Sequence, residues 1–77
     1  MELQTKHMSF LELLKFAWTM DIRNEYYTSL DGDETVYFND RGYLEAQNIT
    51  IAEDDYFVVR DNSYNFDLYK VKLDSQR

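Results

Sequence analysis

The chain has 77 residues, no cysteine, no proline and a net charge of −7, which allows one small core and excludes disulfides, thiol catalysis and cysteine-ligated metals. A chain this short buries only about 60% of the surface its unfolded form exposes, so its seven Tyr, five Phe and one Trp must supply much of the buried area. Its apolar runs fall short of the roughly 20 residues that a membrane-spanning helix needs, and its opening residues lack a secretory signal pattern, so a cytoplasmic protein is expected.

Taken in chain order, residues 1–8 show no hydrophobic period and are expected to form a flexible lead-in, with residues 9–77 making a single α+β domain. Ser9 and Glu12 then make an S-x-x-E capping box, and Met8 is placed to pack on Leu13 as a hydrophobic staple. Phe10, Leu11, Leu13, Leu14, Ala17 and Trp18 follow at helical spacing, while Glu12, Lys15 and Thr19 fall on the opposite face. This predicts a helix from residue 9 or 10 to about residue 20, ending at Asp21 and Asn24. Beyond it the period changes to two. Strands are expected over 25–30, 35–38, 43–46 and 56–60, with a short one over 48–51. Asp31-Gly32 and Arg41-Gly42 mark turns, and so does Asp61-Asn62-Ser63. A last strand is expected to begin at Tyr64 or Phe66 and run to Leu73. The economical architecture is α+β, with one N-terminal amphipathic helix packed on a four- to five-stranded antiparallel sheet.

The charge is unevenly placed. Residues 25–67 hold eleven carboxylates against Arg41 and Arg60, a local charge of −9. Residues 1–24 balance to zero, and residues 68–77 carry +2. Such a field repels nucleic acid and anionic membranes and draws the chain toward basic surfaces. Aromatic residues on a sheet can stack bases, but such sites also need a basic groove to neutralise phosphates. Direct nucleic-acid binding is therefore not expected.

Catalytic chemistry finds little footing. His7 is the only histidine; with no cysteine beside it a zinc site is not expected, and a triad would demand a histidine from the unpatterned lead-in. Asp31, Asp33 and Glu34 resemble the start of a calcium loop, but Thr35 and Val36 break the pattern. No cofactor, metal or enzymatic activity is expected. The carboxylates themselves remain as the functional surface. Asp31, Asp33, Glu34, Glu53, Asp54 and Asp55 lie in predicted turns, with Asp40 and Asp61 in support. Alternate side chains on a strand sit about 7 Å apart on one face, so such a surface can present acidic groups to a basic groove as a phosphate backbone does. The expected partner is a basic nucleic-acid-binding protein. The alternative is a protein–protein interaction or assembly module that uses its aromatic surface, as a homodimer for instance.

The helix segment Ser9-Phe-Leu-Glu-Leu-Leu-Lys-Phe-Ala-Trp-Thr resembles the opening of many short phage and prophage proteins of Gram-positive bacteria. In those proteins an F-L-E-x-x-K-x-A-W-like helix precedes a Tyr- and Asp-rich sheet, and the run Asp33 to Tyr43 fits that picture. The resemblance spans residues 8–60. Small acidic anti-CRISPR proteins belong to this group, so it implies an inhibitor acting in the host cytoplasm as a nucleic-acid mimic. A CRISPR effector nuclease is the favoured target, because its PAM-reading pocket is arginine-rich. The resemblance carries over no catalytic residue.

Overall fold

The computed structural model describes residues 2–46, 51–52 and 55–75. Its elements run β1 (Leu3–Ser9), α1 (Phe10–Thr19), β2 (Glu25–Thr28), β3 (Thr35–Phe38), β4 (Leu44–Ala46), β5 (Tyr56–Asn62) and α2 (Ser63–Ser75). The class is α+β, with two helices and two antiparallel sheets. One sheet pairs β1 with β5, and the other is the meander β2-β3-β4. They meet at a single bridge between Ser29 and Phe57, beside which the Leu30 N–H donates to the Tyr56 carbonyl at 2.9 Å.

The first helix forms where its caps place it. Ser9 is the N-cap, its hydroxyl accepting the Glu12 N–H at 3.3 Å. At the other end Asp21 takes a left-handed backbone, φ 54°, and two hydrogen bonds close the last turn: Ile22 N–H to the Ala17 carbonyl and Asp21 N–H to the Trp18 carbonyl. This is the Schellman pattern, built on an aspartate instead of the usual glycine. The Glu12 carboxylate accepts the Tyr69 hydroxyl at 2.9 Å and so ties α1 to α2.

Three expectations give way. The flexible lead-in is a strand: Leu3 pairs with Asn62, and the ladder runs to Ser9 opposite Tyr56. Hydrophobic alternation was a poor guide here, because only Met8 of β1 is buried and the core is covered in part by a lysine. Lys6 lays its ammonium 4.9 Å from the centre of the Phe66 ring. The last expected strand is the helix α2. Phe66, Tyr69 and Leu73 recur at i, i+3 and i+7 and face the core, and Asn62 accepts the Asn65 N–H at 2.8 Å as an N-terminal cap. The single sheet is two sheets, since β5 turns from the meander to pair with β1. The short strand expected over 48–51 lies mostly outside the described residues.

The core gathers side chains from nearly every element. Leu13, Phe16, Val36, Phe38, Phe57 and Val59 are fully buried, with Met8, Tyr27, Phe66 and Tyr69 nearly so. Phe16 sits among the rings, 5.6 Å from Phe66 and 5.2 Å from Tyr69 in an edge-on contact. Trp18 reaches from α1 to the meander. Its ring meets Phe38 edge-on, and its indole N–H donates to the Gly42 carbonyl at 3.0 Å. Gly42 holds φ 79° in the turn Asn39–Gly42, a conformation costly for any side-chain-bearing residue. Among the described residues, no helix is long and apolar enough to cross a membrane.

Candidate functional site

The β2–β3 connection is a six-residue loop, because Thr28 and Thr35 are the last paired residues. Ser29 organises it. Its backbone N–H donates to the Glu34 carbonyl at 2.9 Å, and its carbonyl accepts the Gly32 N–H at 3.0 Å. Its buried hydroxyl donates to Asp31 Oδ1 at 2.6 Å and accepts the Glu34 N–H at 3.1 Å. Asp31 Oδ1 also accepts the Asp33 N–H at 3.0 Å, an Asx-type turn. These neutral donors, the serine hydroxyl first, hold the Asp31 carboxyl below its ordinary range.

A second acidic turn lies against the first. Ala52 and Asp55 close on each other, the Asp55 N–H donating to the Ala52 carbonyl and Asp55 Oδ2 accepting the Ala52 N–H. The bond from Leu30 to Tyr56 and the bridge from Ser29 to Phe57 then hold the two turns side by side. As a result Asp31, Glu34 and Asp55 bring carboxylate oxygens within 4.8 Å of one another. Among the described residues, the buried Glu34 Oε2 has no hydrogen-bond partner. Desolvation raises the Glu34 pKa, and the charges of Asp55, Asp31 and Asp33 push in the same direction against a hydrogen bond from Ser29.

Of the eight carboxylates expected as the binding surface, the six that the structure describes do not form one array. Asp31, Glu34 and Asp55 converge, and Asp33 is exposed on the same loop, facing the meander. Asp40 lies beyond the other end of β3, in the exposed turn where its carbonyl accepts Arg23 Nη1. Asp61 lies at the far end of β5 from Asp55, about 20 Å along the strand. Its Oδ1 accepts the Asn62 N–H and the Asn65 side-chain amide, so it shapes the start of α2. Glu53 and Asp54 lie outside the described residues.

Three clustered carboxylates also invite a hard cation. Calcium takes six to eight oxygens, of which one from each of these residues would provide three. That deficit favours reading the cluster as a surface charge feature.

The outer face of the meander carries a feature that the acidic pattern did not predict. Tyr26, Tyr37 and Glu45 stand opposite one another in register across β2, β3 and β4. The two tyrosine rings stack with centroids 4.4 Å apart. Period-two alternation could have found this row, since Tyr26 and Tyr37 share parity with the outward Thr28 and Thr35. No protein-family model matches the chain, and neither a curated protein nor a solved structure is detectably similar to it.

Proposed function

We propose that the chain is a non-catalytic binding protein that occupies the basic site of a nucleic-acid-binding protein and competes with the nucleic acid for it. The observation that carries this reading is the convergence of Asp31, Glu34 and Asp55 from two turns within 4.8 Å. Duplex DNA carries one charge per about 1.7 Å of its axis, hence about three charges over 5 Å. The cluster therefore has the charge density that a phosphate-binding groove is shaped to receive. The donors to Asp31 are neutral, so its charge remains available to a cationic partner. An arginine-rich PAM-reading pocket is one such groove, and the anti-CRISPR resemblance makes a CRISPR effector nuclease the first target to try.

The test is competition. Such a nuclease, loaded with its guide, is challenged with duplex DNA in the presence of the chain or of the triple variant Asp31→Asn, Glu34→Gln, Asp55→Asn. The chain should displace DNA, less effectively as salt rises, and the triple variant should lose at least tenfold in potency. Equal potency of the two proteins would overturn the reading. Potency that is independent of salt, from a chain that sediments as a dimer, would support the assembly module instead.

A further inference from the structure

The row Tyr26–Tyr37–Glu45 borders a groove of about 780 Å³, also lined by Asp33, Thr35 and Leu44. Its walls are two tyrosines, two carboxylates, a threonine, a leucine and an alanine, with no cationic side chain among the described lining residues. Tyr26 is 67% exposed. Cross-strand tyrosines commonly stack for the sake of the sheet itself, a gain of about 0.2–1 kcal/mol. That role accounts for the pair but not for the acidic lining or for the way its members are held. The Tyr37 hydroxyl donates to Asn24 Oδ1 at 3.2 Å, and Glu45 Oε2 accepts the Asn39 side-chain amide at 2.8 Å. Asn39 is itself fixed, because its Oδ1 accepts the N–H groups of Arg41 and Tyr43. An aromatic face and a carboxylate are thus both braced before any ligand arrives.

The charge and the shape together select the occupant. Anions and phosphates are repelled by Asp33 and Glu45. A guanidinium is planar and weakly hydrated, so it can lie on a tyrosine face while its edge donates to a carboxylate. A lysine ammonium is compact and strongly hydrated and gains less from stacking. The geometry points to this groove as a docking site for an arginine side chain presented by an extended basic segment of a partner protein, with the guanidinium plane against an outer face of the Tyr26–Tyr37 stack and its donor edge on Glu45. The groove shares none of these three residues with the acidic cluster, so the inference stands or falls separately from the competition reading.

The experiment titrates the isotope-labelled full chain with a short Gly/Ser peptide carrying several arginines, and with its lysine counterpart of equal charge, followed by amide NMR shifts. Shifts should centre on Tyr26, Tyr37 and Glu45, and the arginine peptide should bind about two- to fivefold more tightly. Tyr26→Thr, which keeps a strand-forming residue, should erase that preference, and Glu45→Gln should weaken arginine binding while shifting free-chain signals only near residues 39 and 45. Tyr64→Ser, at an exposed tyrosine on α2, should leave both affinities unchanged. Equal affinity for the two peptides, or shifts confined to the Asp31 and Asp55 turns, would overturn the assignment. A dimer that dissociates on Tyr26→Thr would overturn it too, since the groove would then hold a second copy of the chain.

Discussion

Replacing Ser29 by alanine tests how the acidic cluster is built. Its hydroxyl is buried and makes two hydrogen bonds, accepting from the Glu34 N–H and donating to Asp31. The substitution leaves the half-buried Glu34 N–H without its acceptor, and an unsatisfied buried donor costs about 1–3 kcal/mol. Asp31 is exposed and regains water, so its lost bond adds little. A net loss of about 1–2 kcal/mol follows, against a total stability of about 4–12 kcal/mol for a chain this long. At about 4–8 °C per kcal/mol, the melting temperature should fall by about 4–16 °C. Urea unfolding of the full chain, followed by Trp18 fluorescence, should show a lower midpoint with an unchanged slope. Carboxyl NMR should show the Asp31 pKa rising toward its ordinary value, because its largest stabilising hydrogen bond has gone. A variant within about 0.5 kcal/mol of the parent, which is the usual range for surface changes, with Asp31 unmoved, would refute the claim that this hydroxyl sets the turn.

Two further predictions concern charge and helix docking. Glu34 has a raised pKa in the folded chain, so its contribution to stability is fully present below its unfolded pKa and is lost as pH rises through the folded value. Glu34→Gln should therefore match the parent below about pH 4 and become more stable than it toward neutrality, as read from urea midpoints at several pH values; a variant less stable at pH 7 would contradict this. Tyr69→Phe keeps the edge-on contact with Phe16 but removes the bond to Glu12, and should cost about 1–2 kcal/mol. A double-mutant cycle with Glu12→Ala, which removes the acceptor, should show coupling between the two positions, and its absence would mean that the bond does not hold the helices together.

What the sequence made legible tracks how local the governing physics is. The helix α1 announces itself through Ser9 and Glu12, and β3 through the alternation of Val36 and Phe38 against Tyr37, because both signals lie within a few residues. For α2 the local pattern misled. Tyr64, Phe66 and Leu68 alternate as a strand would, whereas the buried stripe of Phe66, Tyr69 and Leu73 emerges only once Asn62 is recognised as a cap. The strand β1 shows no apolar alternation, and pairing with β5, which follows the meander, is what defines it. The candidate site divides the same way. That Asp31 and Asp33 crowd one turn was readable from Asp-Gly-Asp, while the approach of Asp55 depends on a bridge between two sheets. The separation of Asp40 and Asp61 from that cluster follows from the lengths of β3 and β5, and was legible in the strands expected over 35–38 and 56–60.

The ladder from Leu3–Asn62 to Ser9–Tyr56 also fixes an order of events during synthesis. The strand β1 leaves the ribosome before α1 and the meander, and its partner β5 only after them. Such a distant pairing costs little in final stability, since loop entropy grows only logarithmically, but it delays closure. The hairpins of the meander are local and can assemble earlier. Until β5 arrives, β1 is an unpaired edge of the kind that recruits other nascent chains. Its residues Gln4, Thr5, Lys6 and His7 are polar, and an edge that carries a lysine is poorly suited to recruit them. The lack of an apolar pattern that hides this strand from sequence reading is the same property that guards it while it waits.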